Sequence, residues 1–308
     1  MLIINIIFPR NYDIYKEVPW FSDKELNISK ISKNYTNWMS KIPDSTNLTL
    51  ISIPGSHDSC AYAFEYKYKF LLSFILFNVQ TQSWNITQQL YSGLRYFDLR
   101  PAGNGDIYHG KYKTKTTLNE VFSDFINFLN KYKTEGLVVR VQFQRRQCKN
   151  NNFKKCIQES IYSIFEKYKK YLDNSGYVPT MGTLRGKIFL LVDAFKYKNN
   201  IIFFENNSTV LQDYFRLRGF KALEIRKKQN LVKEYLFKNK TNKLIINHCS
   251  GIGRRAMSDI KYVSYNVNKI PYLNYNYVGI IAMDFPNYIV IKHIIEQNFN
   301  KSKIMLFY

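Results

Sequence analysis

LTLISIPGSHDSC, residues 48–60, is the stretch from which the fold is read. The apolar run 48–53 has the length of a buried strand. Pro54-Gly55 punctuates it, and His57 and Asp58 follow at once. The chain has four histidines in 308 residues. One of them standing beside a carboxylate at the end of a strand marks a place where chemistry is done.

The same pattern recurs along the chain. Apolar runs at 94–99, 137–143, 187–192, 201–204, 244–246 and 278–283 alternate with helical patterns such as 118–131, 153–171 and 287–298. Continuously apolar strands separated by helices read as a parallel sheet covered on both faces. Reactive side chains stand at or just after the ends of these strands: Asp98 and Arg100, then His109, Gln142, Asp193, His248 and Asp284. Polar residues are ordinary where a strand emerges into solvent. A recurrence of His, Asp and Arg on one end of successive strands is the pattern of a (β/α)8-type barrel, whose active site lies at the strands' C-terminal ends. The sequence shows no internal repeat and no Pro/Gly/Ser-rich hinge. It reads as an extension over 1–36 and a single α/β barrel domain over 37–308.

Composition narrows the classes of function. The chain is 45% hydrophobic and 17% aromatic, enough for a large core, and its net charge is +22. A balance this basic favours partners that carry negative charge. The lysines are spread along the whole chain, with no basic tail and no RNA-binding signature, so nucleic acid is not expected and an anionic membrane surface is. The cysteines, Cys60, Cys148, Cys156 and Cys249, form no CxxC pair, which disfavours a zinc cluster. Their small number fits a reducing compartment, so the expected location is cytoplasmic and peripheral to membrane, with secretion as the alternative. The N-terminal LIINIIF stops after seven residues at Pro9-Arg10. That is too short to span a bilayer and has no basic region before it.

Two histidines among several carboxylates and one arginine suit phosphoryl transfer by general acid and base. A neutral imidazole takes a proton from the attacking hydroxyl, and a protonated one gives a proton to the leaving oxygen. Arginine matches the phosphoryl oxygens with its fork of donors, and a carboxylate holds an imidazole in one tautomer. Asp98 and Asp284 could instead ligate a hard cation. Arg100, two residues beyond Asp98, faces the same side of the strand and sets a fixed positive charge there, so no metal and no other cofactor is expected.

Three blocks carry a family resemblance: NWMSKIPDSTNLTLISIPGSHDS (37–59), WNITQQLYSGLRYFDLR (84–100) and YHGKYKTKTTLNEV (108–121). They resemble the X-domain of phosphatidylinositol-specific phospholipase C, in its metal-independent bacterial and X-domain-only forms. The likeness is strong over about 37–145, weaker through 178–192 and LIINHCSG, and returns at VGIIAMDFPN. The resemblance implies an irregular (β/α)8 barrel. It implies His57 as the general base, Asp284 as the carboxylate that orients it, and His109 as the general acid assisted by Asp58. Arg100, with Asp98 as its acidic partner, would take the place of calcium. The implied reaction is attack by the inositol 2-hydroxyl on phosphorus, giving diacylglycerol and a cyclic inositol phosphate.

Head-group contacts are expected at Gln142, Asp193, Asp213 and Tyr214, with Phe215 as the alternative to Tyr214 for the family's stacking ring. Gln142 replaces a lysine of the bacterial enzymes and Asp193 an arginine, so inositol recognition is altered. The substrate is therefore a phosphoinositide or a related lipid. The competing readings are a lipid-binding module with little turnover and a metal-dependent glycerophosphodiesterase-like or sphingomyelinase D-like barrel. FLLSFILF (70–77), next to lysines, reads as a rim segment suited to a membrane interface. His248 and His293 read as structural. A disulfide between Cys60 and Cys249 is the less favoured reading, and GIGRR (251–255) resembles an anion loop only loosely.

Overall fold

The computed structural model describes residues 26–65, 79–144, 161–173, 175–193, 202–203, 208–217, 221–238, 243–253 and 260–299. Eight parallel strands form one curled sheet: β1 (Ser52–Ser56), β2 (Tyr96–Leu99), β3 (Leu137–Val141), β4 (Ile188–Val192), β5 (Ile202–Phe203), β6 (Thr209–Gln212), β7 (Leu244–His248) and β8 (Gly279–Met283). From one edge of the sheet to the other the order is β5, β4, β3, β2, β1, β8, β7, β6. Each strand thus pairs with its neighbour in sequence, and the last returns to pair with the first. That is the connectivity of a (β/α)8 barrel with one seam, between β5 and β6, where no ladder joins the described residues. The fold class is the irregular (β/α)8 barrel that the family resemblance implies.

The strands are buried on both faces because apolar side chains fill the barrel on one side and meet the helices on the other. Leu137, Val138, Val139 and Val141 in β3 are wholly buried, as are Ile188, Leu191 and Val192 in β4. The outer layer includes α1 (Ile86–Ser92), α2 (Leu118–Lys131), α3 (Lys221–Phe237), α4 (Ile260–Val267), α5 (Lys269–Leu273) and α6 (Tyr288–Glu296). Helix α2 starts where expected because Thr117 and Glu120 form a reciprocal capping box. Its apolar stripe Leu118, Val121, Phe122, Phe125 and Leu129 turns to the sheet. Residues 153–160 of the expected second helix lie outside the described residues, whereas 161–167 are helical.

The opening stretch needs a correction. Leu48–Leu50 is a 3-10 turn capped by the Asn47 side chain, and the strand runs from Ser52 through Pro54 and Gly55 to Ser56. Proline is tolerated because its carbonyl still accepts from Arg95 N at 2.9 Å; only its missing N–H is lost from the ladder. Glycine is required for close approach: a Cβ at residue 55 would lie 2.6 Å from Tyr96 Cβ. Pro-Gly therefore lies inside β1 and does not end it. Sequence reading also passed over β6 and the antiparallel hairpin Asp106–His109/Tyr112–Thr117.

At the end of the barrel remote from the C-terminal strand ends, Arg95 and Glu135 are fully buried. Glu135 Oε2 accepts from Arg95 Nη2 at 2.7 Å and Nε at 2.9 Å, and the remaining donors reach the carbonyls of Leu90, Leu94 and Thr36. Removing one partner of such a pair leaves a buried, uncompensated charge. Glu135→Ala is expected to lower unfolding stability by about 3–5 kcal/mol, measured as the urea midpoint at unchanged slope. The same change at the exposed Lys33 is expected to lie within about 0.5 kcal/mol of wild type.

Candidate active site

Strand register assembles the first half of the site. Ser56, the last residue of β1, pairs with Met283, the last of β8. The next residues, His57 and Asp284, therefore leave the barrel side by side, and His57 N donates to Met283 O at 3.0 Å. Both chains then turn sharply, with Asp58 at φ 43° and Phe285 at φ 45°. This left-handed region is uncommon for residues with a side chain and here sits at a functional site. Gln82 ties the two strand ends together, its Nε2 donating to His57 O at 2.6 Å and to Met283 O at 3.0 Å. Nothing in the sequence alone had singled out Gln82.

His57 Nδ1 lies 2.7 Å from Asp284 Oδ1, and Nε2 lies 2.7 Å from Arg100 Nη2. An arginine N–H can only donate, so in the neutral, base-competent imidazole Nε2 accepts and the ring proton sits on Nδ1, donated to Asp284. Burial lowers the basicity of this imidazole. Asp284, and Asp58 with an oxygen 3.4 Å from Nε2, more than reverse that and push it up to about 9. His57 is a strong base already oriented by a carboxylate.

Asp98 and Arg100 lie two residues apart at the end of β2 and face the same side, as expected. Arg100 Nη2 contacts Asp98 Oδ2 at 3.0 Å, and its Nε lies 2.6 Å from Asp58 Oδ1. Burial by itself would raise the Asp98 carboxyl. The guanidiniums of Arg100 and Arg140 outweigh it and hold Asp98 well below the usual carboxylate range. The stability contributed by this depressed carboxyl is present at neutral pH and lost as pH falls through the acidic range. The ligand atoms of His57, Asp98 and His248 come within 4.8 Å of one another. Arg100 Nη2 already touches two of the three, so a guanidinium stands where a divalent ion would have to sit.

His109 arrives by another route than a barrel strand. It ends the first arm of the hairpin, beside Gly110 at φ 58° in the turn. Its Nδ1 donates to Val79 O at 2.6 Å, while Nε2 lies 3.2 Å from Asp58 Oδ2. Asp58 thus touches His57, Arg100 and His109 together. These residues line a cleft of about 620 Å³ with Thr81, Gln142, Asp213, Phe215, Gly251, Ile252, Ile260 and Asp284.

Comparisons with known proteins place the chain among relatives of named activity. The chain is 30% identical over 286 residues to the 1-phosphatidylinositol phosphodiesterase of Listeria monocytogenes, covering 87% of each. The chain belongs to the phosphatidylinositol-specific phospholipase C family. It is 28% identical over 177 residues to the 1-phosphatidylinositol phosphodiesterase of Staphylococcus aureus, covering 56% of this chain and 54% of that one. Among solved structures, the Listeria monocytogenes phosphatidylinositol-specific phospholipase C superposes with a TM-score of 0.69 at 29% identity, covering 85% of this chain and 98% of that one. A Staphylococcus aureus phosphatidylinositol-specific phospholipase C gives the same TM-score at 23% identity over 87% and 99% of the two chains. No protein-family model matches.

Within this phospholipase C barrel, the residues expected at the head group divide. Gln142 and Asp213 line the cleft; Asp193 and Tyr214 do not. Asp193 is held by Arg140, whose Nη2 donates to its Oδ2 at 2.8 Å. Tyr214 packs half-buried against the core, and its hydroxyl donates to Glu224 at 2.8 Å. The ring at the cleft is that of Phe215. His248 lies fully buried beneath His57, with ring centroids 5.3 Å apart, and burial drives its basicity down to about 3. It is a neutral ring under the site. His293 packs away from the site against Tyr272 and Tyr275. Cys60 and Cys249 are buried free thiols. Residues 70–77, Cys148, Cys156 and Arg254–255 lie outside the described residues.

Proposed function

We propose that this phospholipase C acts on phosphatidylinositol or a closely related inositol phospholipid, using His57 as base and His109 as acid. The carrying observation is the unbroken line of contacts Asp284–His57–Arg100–Asp58–His109 along one cleft. The inositol 2-hydroxyl gives its proton to His57 Nε2 as its oxygen bonds to phosphorus. The imidazolium so formed is stabilised by Asp284 at Nδ1. The bond from phosphorus to the glycerol oxygen breaks, and that oxygen takes the proton of His109 Nε2. Asp58, 3.2 Å from that nitrogen, holds the ring in place for the step. Arg100 neutralises charge on the non-bridging oxygens as it develops. The products are diacylglycerol and inositol cyclic phosphate.

The lipid is met at a membrane surface, to which the net charge of +22 attracts the chain when the lipids are anionic. No helix among the described residues is long and apolar enough to cross a bilayer. The reading is tested with mixed phospholipid vesicles in EDTA, followed by mass spectrometry. Loss of the inositol lipid with matching diacylglycerol is expected. Loss of a different phospholipid would move the head-group assignment, and vesicle binding without turnover, even after calcium is restored, would favour a lipid-binding module.

A further inference from the structure

Lys228, on helix α3, is fully buried. Among the described residues it is the lysine that is so, and lysine is almost never wholly buried without a charged partner. Among the described residues Lys228 meets no carboxylate at ion-pair distance. Its Nζ donates to two neutral acceptors, Gln212 Oε1 at 3.1 Å and Tyr214 O at 2.9 Å. Burial lowers its basicity to about 8, against opposing pulls from Cys249, Asp213 and Asp284.

Those two acceptors flank Asp213. Gln212 ends β6, and its Oε1 also accepts from Tyr214 N at 2.8 Å. Its amide nitrogen donates to Asn247 Oδ1 at 2.8 Å and to His248 O at 2.9 Å, which fastens the end of β6 to β7. The lysine thus closes a ring of hydrogen bonds around the segment Gln212–Tyr214. That segment and the next residue present Asp213 and Phe215 to the cleft. The segment stands at the open seam of the barrel, where β6 has no ladder to β5 among the described residues. Among the described residues this wall has no strand ladder on one side, and Lys228 braces it from behind.

We propose that Lys228 is a positioning residue for the head group: it clamps Gln212 and Tyr214 so that Asp213 and Phe215 hold one face of the cleft in a fixed place. This rests on the reading of Asp213 as a head-group contact. Lys228 touches no catalytic group, so its loss weakens binding and leaves the chemical step nearly intact.

The test uses dihexanoyl phosphatidylinositol below its micelle concentration, so that KM reports the cleft and not adsorption to a surface. Lys228→Met keeps the length of the side chain and removes the donors. It is expected to raise KM about tenfold, the equivalent of one lost hydrogen bond of about 1.4 kcal/mol, with kcat within about twofold. Gln212→Ala removes the acceptor and keeps the lysine. It is expected to raise KM by a similar factor and carries the test should Lys228→Met fail to fold. The double variant is expected to add little to either, because both act through one network. Asp213→Asn serves as the reference. If it raises KM while Lys228→Met and Gln212→Ala leave KM unchanged, or lower kcat alone, the clamp is overturned. If Asp213→Asn itself leaves KM unchanged, the head-group reading of Asp213 fails.

Discussion

His57→Ala is expected to lower kcat by about 10³–10⁴, the upper range for loss of a positioned general base, with KM changed far less. The imidazole is where the most interactions converge: Asp284 at 2.7 Å on one nitrogen and Arg100 at 2.7 Å on the other. His248 cannot take over as base, because burial drives its basicity down to about 3 and its ring lies beneath that of His57. The pH profile separates the role of Asp284 from a merely structural one. Asp284 stabilises the imidazolium and so raises its pKa, toward about 9 in the free enzyme. A base works only when unprotonated, so kcat/KM should climb with pH toward that value. Asp284→Asn removes the raising charge. The acid limb of the profile should then move to lower pH while the plateau falls, because Nδ1 is no longer oriented. A limb that stays in place would take Asp284 out of this role.

Arg100→Ala is the second large effect, with kcat expected to fall by about 10²–10³, the magnitude for loss of one preorganised donor to a developing charge. The guanidinium also lies against two carboxylates, Asp58 and Asp98, whose side chains are 2% and 0% exposed. Without it both are buried with too little positive charge, and unfolding stability should fall by about 3–5 kcal/mol. Arg100→Lys should restore part of the stability and little of the rate. A single ammonium supplies the charge but cannot reach Asp58 with one nitrogen while another bridges Asp98 and His57. The sign of the pH effect follows from Asp98. Its carboxyl is held low in the folded state by Arg100 and Arg140, so the stabilisation is present at neutral pH and lost on acidification. The difference in stability between wild type and Arg100→Ala should therefore shrink as pH falls, which denaturant titrations at several pH values would show.

Where sequence reading succeeded, local chemistry and strand order were enough. Seven of the barrel's eight strands were legible, because apolar runs such as LVVRV and IFLLV, spaced by helical patterns, read as strands buried on both faces. His57, Asp98, Arg100 and Asp284 were legible because they flank the ends of such runs. Asp98 and Arg100 on one side of a strand follow from a period of two. The failures share a cause. Pro54-Gly55 reads as punctuation on local grounds, yet Gly55 is there because Tyr96, on the next strand, comes too close for a side chain. The short strand Thr209–Gln212 is polar and only partly buried, so it has no apolar run to announce it. His109 belongs to a hairpin folded across the mouth of the barrel. Asp193 and Gln142 were both expected at the head group. Arg140, which draws Asp193 away, sits in the middle of an apolar strand where no local signal gives its partner. Which of two adjacent rings, Tyr214 or Phe215, meets the cleft is decided by Glu224 on a later helix.

Phosphorus NMR of the first turnover products tests the central claim most directly. Phosphatidylinositol vesicles are incubated with the protein in EDTA, and His57→Ala serves as the control. Two-histidine catalysis by intramolecular attack predicts that a cyclic inositol phosphate appears first, in step with diacylglycerol and without added metal, and that both vanish in the variant. An open-chain phosphate ester formed first, or activity that requires a divalent ion, would contradict it.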